Sequence, residues 1–317
     1  MSTPSFSQPL SFAPLFLERV WGGRQLESLY GKALPPGKPI GESWEIVDRE
    51  EAQSVVRSGL LEDTTLHELW TEHRAAIFGN GLPESERFPL LLKLLDTHEV
   101  LSLQVHPPAE VAKELGAEAK TEMWYVAHAN PGAEIMAGLR PGTTRQTFED
   151  AIAAGKATDL VNRFPAHEGD AFFIPSGRVH AIGEGNVIVE IMQNSDTTYR
   201  VSDWNRVGLD GKPRPLHVVN SLRSIRFDDH ASARQTPAGE TIVHCEFFHV
   251  EKWSLAIPRL ATTGARFAIF TVLAGKVECA GLTFPIGEFF LVPATLGSAE
   301  IIPREPGTEV LRTTIPV

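Results

Sequence analysis

Gly169-Asp-Ala-Phe-Phe-Ile-Pro-Ser-Gly-Arg-Val-His180 is the stretch on which the fold turns. A glycine and an acid open a turn, an apolar run makes a strand, and Pro175, lacking a backbone donor, ends it. Gly177 can take the positive φ of a hairpin, and a histidine stands three residues later. The same opening recurs 118 residues on as Gly287-Glu-Phe-Phe-Leu-Val-Pro293. Two strands alike by chance would look the same. A duplicated β unit is the alternative, and then the second copy has Ser298 where the first has His180.

Outward from this stretch the chain keeps the same character. Twenty-six glycines and twenty-three prolines cut it into short apolar runs, which favours a mainly β scaffold. Strands are predicted at Leu90–Leu95, Val100–Val105, Met123–Ala127, Ala171–Ile174, Val187–Met192, Phe247–Val250, Phe267–Leu273 and Phe289–Val292. Helical spacing is confined to Thr64–Asn80, Pro107–Lys120 and Thr144–Phe164, the last split at Gly155. The polar segment Asp228–Thr241 carries Pro237 and Gly239 and reads as a linker. It predicts one domain over 1–235 and a second over 236–317, in keeping with about two domains for 317 residues.

A net charge of −11 argues against nucleic acid or an anionic membrane as the main partner, since both demand a surplus of Lys and Arg. Only Cys245 and Cys279 occur, so there is no disulfide framework. The start, MSTPSFSQPLSF, lacks the basic and apolar regions of a secretory leader, and Pro89–Leu95 is far short of the ~20 residues that span a bilayer. The expectation is a cytoplasmic protein.

The candidate chemistry lies in three places. Alternation along Ser102-Leu-Gln-Val-His106 puts Ser102, Gln104 and His106 on one face of a strand. Glu122 heads the run Met123–Ala127, and His180 follows the Gly177 turn. Amide oxygen, imidazole and carboxylate together suit a divalent ion, although a surface strand would also give Gln-x-His.

Gly169-x5-Pro175-x-Gly177-x2-His180 resembles the second cupin motif, and Gln104-x-His106 with Glu122 resembles an altered first one. The block His180–Arg200 (HAIGEGNVIVEIMQNSDTTYR), with SLQVHP, KTEMWYV, Trp21-Gly-Gly, Gly41–Glu45 and Pro89–Leu94, resembles the short bacterial form of type I mannose-6-phosphate isomerase. That resemblance implies two cupin-type jelly-roll barrels, the first with inserted helices and the second, after 235, degenerate. It implies one Zn2+ on Gln104, His106, Glu122 and His180. It implies a phosphosugar substrate surrounded by Lys93, Lys120, Glu190 and Arg200, with Lys93, Ser102 and, as a further alternative, Arg200 as candidates for the phosphate.

The reaction implied is aldose–ketose isomerisation of mannose 6-phosphate to fructose 6-phosphate through a cis-enediol. Glu190, on an apolar strand, is the expected proton-transfer base, with Arg200 as its natural ion-pair partner or as the group that stabilises the enediolate. Lys120 would polarise a hydroxyl or shuttle a proton. Without the resemblance, Lys93 reads as an outward lysine on an edge strand. Arg178 and Arg206 read as exposed, and His67, His73, His98, His128, His167 and His217 as surface or hydrogen-bonded histidines.

Two rival readings use the same residues. His106, Glu122 and His180 alone would be the facial triad of a cupin non-haem Fe(II) oxygenase, but Gln104 would occupy a position that oxygen needs. A non-enzymatic sugar-binding cupin would be expected to have eroded ligands, and the first half has not lost them.

Overall fold

The computed structural model describes residues 6, 8–262 and 266–316. Half of the N-terminal stretch read above for a leader, residues 1–5 and 7, therefore lies outside the described residues. Strands predominate, and among the described residues every α-helix falls between Gln25 and Ser224, as the mainly β reading with helices in the N-terminal half expects. The chain forms two compact units. One gathers Phe16–Ser43 and Lys93–Gln235; the other gathers the chain up to Leu15, Trp44–Leu92 and the chain from Thr236. A boundary thus falls at the linker, but two earlier segments fold with the C-terminal part, which a contiguous split does not anticipate.

A six-stranded sheet drawn mainly from the first unit has the order Ala171–Ile174, Glu122–Ala129, Asn186–Gln193, Leu90–Thr97, Ile40–Ile46, Leu15–Gly23. A five-stranded sheet has the order Val161–Pro165, Glu134–Leu139, His180–Ile182, Leu103–Val105, Tyr199–Ser202. One apolar cluster takes Trp124, Val126, Phe172 and Ile188 from the first sheet and Ile135, Ala137 and Ile182 from the second, so the two sheets pack face to face. Each valine, isoleucine or phenylalanine among them, taken fully out of water, contributes about 1.5–3 kcal/mol.

The five-stranded sheet separates its two faces by strand alternation. Leu103, Val105, Ala181, Tyr199 and Val201 point outward, where Phe148 and Ile152 of helix Arg145–Ala153 and Leu222 of helix Val218–Ser224 cover them. Their neighbours in sequence, Gln104, His180 and Arg200, must therefore face the other sheet. Register makes the same point: His180 lies opposite Gln104, and Gln104 opposite Arg200 on its other side. On the facing sheet Glu190 lies opposite Trp124, two residues along from Glu122 and on its face. Seven buried positions in a row on Asn186–Met192 and eight on Leu90–Thr97 mark strands covered on both sides.

The turn before His180 has the positive φ its sequence predicts but is not a hairpin, because Ala171–Ile174 and His180–Ile182 lie in different sheets. Gly177 has φ 92°, and a Cβ there would come within 2.7 Å of Arg226 Cγ, so glycine is required twice over. Arg178, expected at the surface, is buried: Nε and Nη2 both reach Asp229 at 2.6 Å and Nη1 donates to the Phe173 carbonyl at 2.9 Å. The returning chain covers it, with Phe173 N–H bonded to Ala233 O. Arg206 is also largely covered, held by Asp203 and by the Val100 carbonyl.

Two helix expectations need correction. The span 64–80 forms Leu66–Glu72, capped by a Thr65–Glu68 box, and a separate turn Arg74–Ile77, because His73 leaves helical geometry at φ −119°. The helix from Thr144 ends at Ala153. Leu160 closes a 3-10 turn and Phe164 lies on strand Val161–Pro165, paired with Ile135. Gly155, at φ 69°, turns the chain between them.

The second unit repeats the two-layer plan. A six-stranded sheet containing Phe289–Val292 and a four-stranded sheet containing Lys276–Cys279 enclose Trp253, Phe270, Phe284, Phe290 and Ile301. Trp70, Phe78, Phe88 and Phe267 form an aromatic group in the same unit, with ring centroids 4.9–5.8 Å apart. Gly169 and Gly287 both have positive φ, so the two related turns share a backbone conformation as well as a sequence. Ser298 is exposed.

Candidate metal centre and its cleft

His106, Glu122 and His180 converge although they come from three separate strands or strand ends. Each is buried, and their donor atoms all lie within 4.8 Å of one another. His106 Nε2 is 3.4 Å from Glu122 Oε2, and His180 Nε2 is 3.4 Å from Glu122 Oε1. Gln104 Nε2 lies 3.3 Å from His180 Nε2. Four donors placed tetrahedrally at the usual zinc bond lengths would be separated by about 3.3 Å, so this spacing suits one small divalent cation.

The tautomers point the same way. His106 Nδ1 donates to the Thr197 carbonyl at 2.8 Å, and His180 Nδ1 donates to the Arg178 carbonyl at 2.9 Å. Each neutral ring therefore turns the lone pair of Nε2 toward the centre. Burial, with Lys120 next, pushes His106 down to about 4, and burial likewise lowers His180. Burial alone would raise Glu122, but Lys120 and the two imidazoles outweigh it and hold the carboxylate well below its ordinary range. Lone pairs thus face lone pairs. His106 Nε2 and Glu122 Oε1 have no hydrogen-bond partner among the described residues, and Glu122 Oε2 has the Lys120 ammonium at 3.0 Å; leaving the first two unmet in a buried site is costly unless a cation is shared between them.

A cleft of about 690 Å³ opens beside the centre, and Gln104 and Lys120 reach it. Lys120 Nζ sits 3.0 Å from Glu122 Oε2. Lys93 is not an outward edge lysine. It is buried on an inner strand, 2.7 Å from Glu190 Oε2 and 3.4 Å from Glu42 Oε2. Burial by itself would lower this ammonium, yet Glu190 and Glu42 hold it above its ordinary value. Glu190 Oε1 accepts from Trp124 Nε1 at 2.9 Å. The ion-pair partner of Glu190 is therefore Lys93, one strand away in the same sheet, and not Arg200, which belongs to the facing sheet. Ser102 Oγ donates to Gln104 Oε1 at 3.0 Å.

Arg200 lines the cleft and its Nε is buried without a hydrogen-bond partner among the described residues. Every residue named from the sequence as a metal, catalytic or substrate candidate thus belongs to the centre or lines its cleft. Sequence reasoning missed Arg19, Glu42, Asp196, Arg214 and His217, which also line it. Arg19 and Glu42 form a pair at 2.7 Å near two blocks already noted, Trp21-Gly-Gly and Gly41–Glu45, and Asp196 lies inside the His180–Arg200 block. Nothing in the local sequence distinguishes Arg214 or His217.

Comparison with known proteins agrees with this geometry. Residues 10–151 match the family model of the phosphomannose isomerase type I catalytic domain. Mannose-6-phosphate isomerase ManA of Bacillus subtilis (strain 168) is 36% identical over 308 residues, covering 93% of this chain and 96% of its own. The crystal structure of the Bacillus subtilis mannose 6-phosphate isomerase superposes with a TM-score of 0.86 at 31% identity, covering 97% of this chain and 99% of that one. A zinc-bound holo mannose 6-phosphate isomerase shares the fold, with a TM-score of 0.77 at 16% identity over 98% of this chain and all of its own. Identity at this level over nearly the whole of both chains reflects common descent, and the chain belongs to the type I phosphomannose isomerase family.

Proposed function

We propose that this protein interconverts mannose 6-phosphate and fructose 6-phosphate, with one zinc ion held by Gln104, His106, Glu122 and His180. The observation that carries the reading is the buried, mutually facing set of donors from His106, Glu122 and His180 at the floor of an open, charged cleft. A half-turn of the Gln104 amide would present Oε1 to the ion, and Ser102 Oγ would then accept from Nε2. When bound, zinc supplies Lewis-acid stabilisation of the charge that develops on the substrate's O1 or O2.

The remaining chemistry falls to the chain's own residues. Glu190 takes the proton from C2 of the aldose and returns it to C1; its pairing with Lys93 and Trp124 fixes the carboxylate while each oxygen keeps a second lone pair. Arg200 stabilises the enediolate, and Lys120, anchored on Glu122, polarises a substrate hydroxyl. Lys93 and Ser102 border the substrate, and their own partners limit what either can offer a phosphate.

We read each pair of packed sheets as a cupin-type jelly-roll barrel, the second degenerate, with all catalytic residues inside 1–235. A phosphosugar partner is compatible with the acidic excess of the whole chain, since Arg19, Lys93, Lys120, Arg200 and Arg214 all line the one cleft, beside acidic residues. A cytoplasmic location fits as well; no described helix is long and apolar enough to cross a membrane. The test is a coupled assay for fructose 6-phosphate formed from mannose 6-phosphate, with and without chelator, beside an oxygen-uptake measurement. Chelator-sensitive isomerisation without oxygen uptake is expected. Oxygen uptake without isomerisation would move the protein to the iron oxygenases.

A further inference from the structure

The cations lining the cleft are not equivalent. Lys93 is committed to Glu190 and Glu42, Arg19 to Glu42, and Lys120 to Glu122. Arg214 differs. Its Nε and Nη2 reach Asp203 at 2.7 and 2.6 Å, but Asp203 also takes Arg206 Nη2 at 2.8 Å. Asp203 is thus shared, Arg206 having Glu99 Oε2 at 3.5 Å as well, and Nη1 of Arg214, which makes no hydrogen bond among the described residues, is what remains for the cleft that residue lines. The turn carrying Asp203 is held firmly. Trp204 and Asn205 both sit in the left-handed region, and Trp204 Nε1 donates to the Leu101 carbonyl at 2.9 Å.

His217 stands beside it in a fixed state. Its Nδ1 accepts the Arg200 backbone N–H at 3.1 Å, and its own N–H donates to the Arg200 carbonyl at 2.8 Å. With Nδ1 accepting, the neutral ring carries its proton on Nε2, as a donor. Burial and the neighbouring Arg200 charge lower this imidazole, so it stays neutral at working pH.

Spacing completes the picture. Gln104 pairs with Arg200 across one strand spacing, and Arg200 bonds to His217 on its far side. The Gln104 and His217 rows are thus about 10 Å apart. That is close to the reach of an extended six-carbon chain ending in a phosphate. We propose that Arg214 and the Nε2–H of His217 form the phosphate-binding corner of the cleft, with Arg200 between that corner and the carbons that react. This rests on the proposed isomerase reading and deepens it. It assigns the phosphate to the loop 203–217 instead of Lys93 or Ser102.

The test uses the full-length, metal-replete protein, with inorganic phosphate as a probe that needs no turnover. Arg214→Gln should raise KM for mannose 6-phosphate and weaken phosphate binding by calorimetry together, each by roughly tenfold to a hundredfold, with a far smaller change in kcat. His217→Asn keeps an acceptor for the Arg200 N–H but removes the donor at Nε2, and should raise both by about threefold to tenfold. Asp203 stays paired with Arg206 in Arg214→Gln; if that variant fails to fold, His217→Asn decides alone. Unchanged KM and phosphate binding in folded variants, or a loss confined to kcat, overturns the assignment. If the wild type fails to convert mannose 6-phosphate at all, the reaction reading falls separately. Phosphate binding weakened in the variants would still support the corner, and binding undiminished would overturn it.

Discussion

Replacing Lys93 by methionine keeps the volume of the aliphatic stem and removes only the ammonium. In the native protein that group is buried with its side chain 7% exposed, between Glu190 and Glu42. Glu42 retains Arg19 at 2.7 Å, so its charge stays paired. Glu190 retains only the Trp124 indole N–H at 2.9 Å and becomes a buried carboxylate without a counter-charge. Breaking one side of such a pair costs about 3–5 kcal/mol, and the weaker link to Glu42 puts this case near the lower end. For a unit of this size, about 3 kcal/mol corresponds to a fall in melting temperature of roughly 6–12 °C. The second arm is Lys93→Met with Glu190→Gln, which removes the orphaned charge while the amide still accepts from Trp124. Differential scanning calorimetry should show the double variant recovering most of the lost stability, and a coupled assay should show no recovery of turnover. Lys93→Met melting with the wild type, or a double variant no more stable than the single, would refute the reasoning.

Other outcomes follow from the same geometry. Glu190→Gln should lower kcat by about a hundredfold or more while metal content stays normal, checked by coupled assay and elemental analysis; substantial residual activity would put the base elsewhere. Metal-free protein should lose stability in acid: His106 titrates at about 4 when folded against 6.5 when free, so the folded state binds fewer protons. Its contribution, about 3 kcal/mol, is fully present above pH 6.5 and fades as pH falls through 6.5 toward 4, which thermal melts of chelated protein across that range would record. Gly177→Ala should destabilise by about 1–3 kcal/mol in denaturant titrations, because φ 92° and the nearby Arg226 side chain both exclude a Cβ.

The parts of the site legible in the sequence were those fixed by local rules. Period-two alternation placed Gln104 and His106 on one face and Leu103 and Val105 on the other, and the Gly177 turn announced His180. What local pattern does not carry is which strands become neighbours. Lys93 in a leucine run looks the same on an edge as in the interior, and only the sheet order sets it beside Glu190. For the same reason local pattern pairs Arg200 with Glu190, whose partner is Lys93. Arg178 and Arg206 read as exposed because the segments that cover them return from elsewhere in the chain. The helices failed at their ends, where His73 and Gly155 break a pattern whose apolar spacing continues past them.

The central claim is that one cation at the Gln104–His106–Glu122–His180 floor is indispensable to the isomerisation. Stripping the purified protein with chelator and titrating zinc back, while following both bound metal and conversion of mannose 6-phosphate, addresses it directly. Activity should be absent at the start, rise in proportion to bound zinc and level off at one equivalent per chain. Full activity in the stripped protein, or saturation of that site with no gain in turnover, would contradict it.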